Sequence, residues 1–130
     1  MLPLPKPVAL VLCQKVDVAA GRFSLVGLFH IRRFPVFPTP VQRFTVYVAL
    51  HGGMGEGTMS LAIARAETEN KIYVYQRWMS FADRDRVYDI EIRVRTCVFP
   101  AAGRYLCSLW FDNQIVTDRI LDVLWEVPSS

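Results

Sequence analysis

The chain has 130 residues, enough for one domain to bury its own core without disulfide or metal support. Its 52% apolar and 21% charged residues exclude general disorder and leave a surplus of apolar surface for a core or an interface. A formal net charge of +3 is too small to imply a polyanionic partner by itself.

No apolar run approaches the roughly 20 residues needed to cross a bilayer. Residues 1–7 carry Pro3, Pro5 and Pro7 with a single cation, Lys6, and fit neither a signal nor a transit peptide. They are expected to form an extended arm. Cys13, Cys97 and Cys107 are odd in number and lack a CxxC spacing, so reduced, buried thiols in a cytoplasmic protein are the simpler expectation. Twelve of the fifteen basic residues are Arg, the cation favoured at interfaces, although codon bias explains the same preference.

Eight strands are expected. The continuous apolar run Val8 to Cys13 suits a strand covered on both sides. Val18 to Gly21 reads as a turn into a second strand, Arg22 to Ile31, with Gly27 marking a bulge or a close backbone approach. The three prolines of Phe34 to Pro40 exclude helix and central strand, so this segment is expected to cross between sheets and pin Phe34 and Phe37 at the edge. In Arg43 to Leu50 the inward set is Phe44, Val46, Val48 and Leu50. Gly52 to Gly57 is a glycine-rich turn. Thr58 to Glu67 has alanines that favour helix, but Met59, Leu61 and Ile63 alternate with small residues, and strand is preferred. A turn at Glu69-Asn70 leads to the aromatic strand Lys71 to Trp78.

From Tyr88 to Val98 every second residue is apolar or Thr, and Asp89, Glu91, Arg93, Arg95 and Cys97 lie between. That period of two defines one buried and one wet face. A Pro-Gly turn then leads to Tyr105 to Phe111. A hairpin in the register that keeps both apolar faces together pairs Val98 with Tyr105, Thr96 with Cys107, Val94 with Leu109 and Ile92 with Phe111. It sets Arg93 across from Trp110 in a cation–π contact. Asp112 to Gln114 turns the chain into Ile115 to Val127, and Trp125 is expected to fold back over an edge.

Two resemblances follow from these residues. Gly103-Arg104-Tyr105-Leu106-Cys107 resembles the Gly-x-Tyr-x-Cys of an immunoglobulin-type strand after its tyrosine corner, which implies sandwich architecture and not homology. The opening strand ending in Leu12-Cys13, the run Gly21 to Phe29, the Phe34 to Pro38 crossing, Val98-Phe99-Pro100 with Gly103 and Tyr105, and Asp112 to Gln114 together resemble a family of small bacterial proteins catalogued only as a domain of unknown function. That resemblance implies a single all-β sandwich with no assigned activity, cofactor or catalytic residue.

Chemical motifs are weak. His51-Gly52-Gly53-Met54-Gly55 is similar to an esterase oxyanion loop, but no G-x-S-x-G nucleophile exists, nor does the Gly-Lys-Ser/Thr of a P-loop. His30 and His51, expected outward at strand ends, and three scattered Cys do not make the four converging ligands of a zinc site. Asp83, Asp85 and Asp89 interleave with Arg84 and Arg86 and read as a salt-bridged surface turn.

The reading that results is a single all-β domain over residues 1–130, a two-sheet antiparallel β-sandwich of immunoglobulin-like or jelly-roll-like type with about eight strands. It is expected to be a non-catalytic interaction module, without metal or cofactor, that binds a protein partner or itself as a homo-oligomer and not a membrane. The candidate interface is Trp110, Arg93, Arg95, Tyr73, Tyr75, Arg77 and Tyr47, since Tyr, Trp and Arg are enriched at protein interfaces. Interleaved Arg and aromatics also suit single-stranded nucleic acid or a carbohydrate, the less favoured alternative. Burial of these faces by a second sheet is the structural alternative.

Overall fold

The computed structural model describes residues 4–127, and among them every regular element is a strand. The ten strands are β1 Lys6–Cys13, β2 Lys15–Ala19, β3 Arg22–Val26, β4 Ile31–Phe34, β5 Gln42–His51, β6 Gly55–Arg65, β7 Lys71–Phe81, β8 Val87–Cys97, β9 Gly103–Phe111 and β10 Gln114–Trp125. They form three sheets, ordered β1-β5-β8, β4-β10-β9-β6-β7 and β2-β3. Every strand pair is antiparallel except β4 with β10. Residues 1–3 of the expected arm lie outside the described residues, and Lys6 and Pro7 already belong to β1.

Ten strands replace eight because the expected Arg22–Ile31 strand breaks at Gly27 and Lys15–Ala19 forms a further strand before it. Gly27 has φ +72°, and a Cβ there would meet the Gln14 side chain at 2.7 Å, so the backbone can turn and pass close only as glycine. The Gln14 N–H donates to the carbonyls of Val26 (2.9 Å) and Gly27 (3.2 Å), fixing that approach. The chain then rejoins as β4 alongside β10. Upstream, Ala20 and Gly21 both have positive φ, the signature of a two-residue hairpin turn, so Val18 and Ala19 belong to β2 and not to the turn. β1 is an edge strand with Val8 60% exposed, and not one covered on both sides. Pro7 is tolerated there because an edge need not use every donor.

The interior is one cluster drawn from both larger sheets. Leu10, Leu12, Phe44, Val46, Val48, Leu50, Ile90, Ile92 and Val94 come from the three-stranded sheet. Met59, Leu61, Ile63, Tyr105, Cys107, Leu109, Phe111, Leu121 and Val123 come from the five-stranded sheet. Hydrophobic burial therefore holds the two sheets against each other. β6 is a strand despite its alanines, and the turn around Glu69 is closed by Glu69 N–H on the Arg65 carbonyl (2.8 Å).

The expected β8–β9 hairpin does not form. β8 pairs with β5, whereas β9 lies between β6 and β10 in the other sheet, so none of the four expected residue pairs exists. The two strands do aim their apolar faces at the same core, but from opposite sides of it. The segment 98–102 makes the crossing and is fixed at each step. Phe99 is buried between Phe34 (5.9 Å) and Tyr105 (5.2 Å). Its N–H donates to Thr39 Oγ1 (3.1 Å), and its carbonyl accepts from Thr39 N–H (3.1 Å). The Tyr105 hydroxyl donates to the Ala101 carbonyl at 2.7 Å. The proline-rich segment from Phe34 crosses between the same two sheets, with Phe37 packed on Phe34 (6.0 Å) and Trp125 on Phe37 (4.7 Å).

The rhythm of β8 also changes near its end. Gln42 pairs with Cys97 and Phe44 with Val94, so Arg95 and Thr96 together oppose Arg43 in a β-bulge. The extra residue inverts the faces: Cys97 is fully buried and Thr96 exposed, the reverse of the expected order. Two substitutions probe these features. Tyr105→Phe removes the donor to Ala101 and is expected to lower unfolding free energy by about 1 kcal/mol in urea titration. Gly57→Ala places a Cβ 2.5 Å from Asp112 Oδ2 and 2.6 Å from the Phe111 ring and is expected to cost about 1–3 kcal/mol by the same measurement.

Candidate functional site

The outer faces of the two large sheets differ. That of the three-stranded sheet is partly covered by the β2–β3 hairpin, whose Phe23 packs on Tyr47 at 5.6 Å between ring centroids. The Tyr47 hydroxyl donates to Asp89. Burial, that hydrogen bond and the Asp89 charge together push the Tyr47 phenol up to about 12. Cys13 and Thr45 are buried on the same face. Tyr47 is thus a packing residue of this layer.

Arg93 and Arg95 lie on β8 in the same sheet, both exposed, and Arg93 Nε contacts Glu91 Oε1 at 2.9 Å. Trp110 lies on β9, across from Ser60 and Ile115 in the five-stranded sheet. The expected Arg93–Trp110 stack therefore does not form: the two side chains belong to opposite sheets. On β7, Tyr73 and Tyr75 pair across from Ile63 and Leu61 and pack against the core. Arg77 has the same parity, opposite Met59, and is exposed. The seven candidates thus fall in three places. Tyr47, Arg93 and Arg95 stay on one outer side of the three-stranded sheet, Tyr73, Tyr75 and Arg77 stay together on β7, and Trp110 stands apart from both sets.

Trp110 has other neighbours that sequence reasoning missed. The outer side of β7 is Val74, Gln76 and Trp78, opposite Ala62, Ser60 and Thr58 of β6. Beyond them Trp110 and Ser108 of β9 face Ile115 and Asp118 of β10. Trp78 (63%), Val74 (50%) and Ile115 (48%) are exposed large apolar side chains on this face. Between its flanks runs a cleft of about 490 Å³, floored by Ala62, Ala64 and Ser108, walled by Trp110 and Ile115, and edged by Lys71 and Asp118. The small residues at 62, 64 and 108 make the shallow floor. The available signal was the alternation Val74-x-Gln76-x-Trp78, one residue out of step with the tyrosines. A tyrosine can bury its ring while its hydroxyl reaches water, so parity on such a strand does not decide which set is outside.

The remaining polar features are structural. The expected salt bridges of the 82–86 loop are replaced by hydrogen bonds: Asp83 Oδ1 accepts from Asp85 N–H (2.9 Å), and the Tyr88 hydroxyl accepts from the N–H groups of Ala82 and Asp83 (3.1 Å each). Among the described residues the ion pairs are Lys15–Asp17, Arg93–Glu91 and Arg104–Asp122. Asp122 is held below its ordinary value by its hydrogen bonds from Arg104. No group of three or more His, Cys, Asp or Glu converges among the described residues, and no helix is long and apolar enough to cross a membrane.

All three thiols are free and buried. Burial pushes Cys97 and Cys107 up to about 12 and raises Cys13 as well.

These features define an all-β domain with, among the described residues, one partly covered and one uncovered outer face. The chain belongs to DUF6941, a family of unknown function, whose profile matches residues 8–124. No curated protein matches it.

The raised thiols give a prediction with a definite sign. Unfolded thiols lose their protons near 9.0, whereas Cys97 and Cys107 retain theirs to about 12, so in that window the native state binds more protons. Stability is therefore expected to be steady below pH 9 and to fall as pH rises toward 12, measured by urea titration across pH. At pH 8 the native protein is expected to react slowly with a thiol-specific chromogenic disulfide and to release three equivalents promptly once unfolded.

Proposed function

We propose that this chain is a non-catalytic binding module that acts by contacting protein, first of all a second copy of itself, through the outer face of the five-stranded sheet. The observation that carries the reading is that face: Trp110 and Ile115 wall a floor of Ala and Ser, Val74 and Trp78 stand exposed on the same side of β7, and no element of the chain is laid over them among the described residues. Contiguous exposed apolar surface rimmed by polar residues is characteristic of interaction sites. Trp is the residue most enriched among those that dominate binding energy. The placement of charge favours self-pairing. Lys71 lies on the β7 side of the cleft and Asp118 on the β10 side. A two-fold axis running along the strands brings Lys71 of one copy to Asp118 of the other, as an isologous interface requires.

The frame we infer is an immunoglobulin-type sandwich of the two larger sheets, with the β2–β3 hairpin as an addition. The orders β1-β5-β8 and β4-β10-β9-β6-β7 parallel the immunoglobulin orders A-B-E and A′-G-F-C-C′, and β4 runs parallel to β10 as A′ does to G. Tyr105, two residues before Cys107 and bonded back to Ala101, takes the place of the tyrosine corner. Three unpaired thiols support a reducing compartment such as the cytoplasm. Single-stranded nucleic acid or glycan binding by an Arg/aromatic face draws less support, because Arg93 and Arg95 are in the sheet opposite Trp110.

Light scattering on a size-exclusion column is the test. At high micromolar concentration the native chain is expected at twice its monomer mass, and Trp110→Asp is expected to weaken association about tenfold or more, roughly 1.4 kcal/mol. A strict monomer at that concentration, or a dimer indifferent to Trp110→Asp, would contradict the reading.

A further inference from the structure

On the opposite side of the molecule the cations gather. Between β2 and the outer face of β5 and β8 lies a cleft of about 530 Å³, and Lys15, Arg43, Arg93 and Arg95 line it together with Thr45 and a single carboxylate, Glu91. The β5–β8 register, stepping from Thr45–Arg93 and Phe44–Val94 to Arg43, creates this arrangement. By setting Arg95 and Thr96 together against Arg43, it places two guanidinium groups across one strand pair on the same face. Like charges directly opposite each other on a sheet destabilise it. Among the described residues nothing offsets this pair: Glu91 is taken by Arg93 (2.9 Å), Lys15 has an exposed contact to Asp17 (3.7 Å), and Arg43 and Arg95 have no carboxylate within ion-pair distance.

We propose that this cleft binds a small oligophosphate, a compound carrying two or more linked phosphate groups. An arginine fork matches phosphate oxygens two at a time, and a lysine adds a mobile point charge. Two unpaired guanidiniums side by side fit two adjacent phosphates, and four cations against one carboxylate favour a compact anion of high charge density over a single carboxylate. The cleft volume lies within the range of small-molecule sites, about 300–1,000 Å³, which suits a nucleoside triphosphate or a short inorganic polyphosphate. Neutralising Arg43 and Arg95 removes their mutual repulsion, so the bound chain is more stable than the free one.

Titration calorimetry on the full chain at constant ionic strength tests this, with inorganic tripolyphosphate and ATP as separate probes. Saturable one-to-one binding is expected, weakened at least tenfold by Arg43→Gln or Arg95→Gln and unchanged by Arg84→Gln in the distant 82–86 loop. Both cleft variants are expected to melt no lower than the native chain, which separates loss of binding from loss of fold. Equal affinity for the two probes assigns recognition to the phosphate chain, and tighter ATP binding assigns part of it to the nucleoside; either supports the site. No saturable binding, an equal loss in Arg84→Gln, or single-stranded oligonucleotides that bind more tightly with each added nucleotide would overturn it.

Discussion

Phe99 sits where the two large sheets are tied. It lies between Phe34 on one side and Tyr105 on the other, and its backbone exchanges two hydrogen bonds with Thr39. Two of the connections that cross between the sheets, the proline-rich one after Phe34 and the 98–102 one before β9, are thereby bound to each other. Each would otherwise be a loose polar loop with backbone donors to satisfy. Because they interlock, β5 and β8 are held over β6 and β9 with their apolar faces opposed, and the core closes between them.

This arrangement decides what each outer face can do. The three-stranded sheet has the β2–β3 hairpin over part of its outside, which buries Thr45 and Cys13, locks Tyr47 onto Asp89 and leaves the basic cleft beside it. Among the described residues the five-stranded sheet has no such cover, and its outward set places Trp78, Trp110, Val74, Ile115 and small Ala and Ser residues beside Lys71, Asp118 and the Arg104–Asp122 pair. The apolar surplus in the composition thus divides between one core and one surface. Membership of the DUF6941 family fits this frame and leaves the activity to be read from the faces themselves.

Much of the layering was legible in the residues. The inward sets of β5, β6 and β9, the inward Ile90, Ile92 and Val94, and the crossing after Phe34 follow from alternation and proline chemistry, and they stand in the structure as expected. The partner of β8 was not legible, because a period of two states which side faces the core and is silent on whether two strands are neighbours in one sheet or opposed across two. The bulge opposite Arg43 was equally hidden: a single extra residue reverses Thr96 and Cys97 without any mark in composition. The short strands β2 and β4 depended on the turns at Ala20-Gly21 and Gly27, of which only the glycines were visible. The candidate site fared unevenly. Trp110 lies on the uncovered face, but its neighbours were chosen one residue out of step on β7 and from the wrong sheet on β8.

The proposed self-association through the uncovered face is tested most directly at its indoles. The three tryptophans are Trp78 and Trp110 on that face and Trp125 against Phe37. With 5-fluorotryptophan incorporated, fluorine NMR across a dilution series from millimolar to low micromolar chain is expected to shift the resonances of Trp78 and Trp110 together and leave that of Trp125 in place. Three resonances that stay fixed over the whole series, or a shift confined to Trp125, would contradict the account.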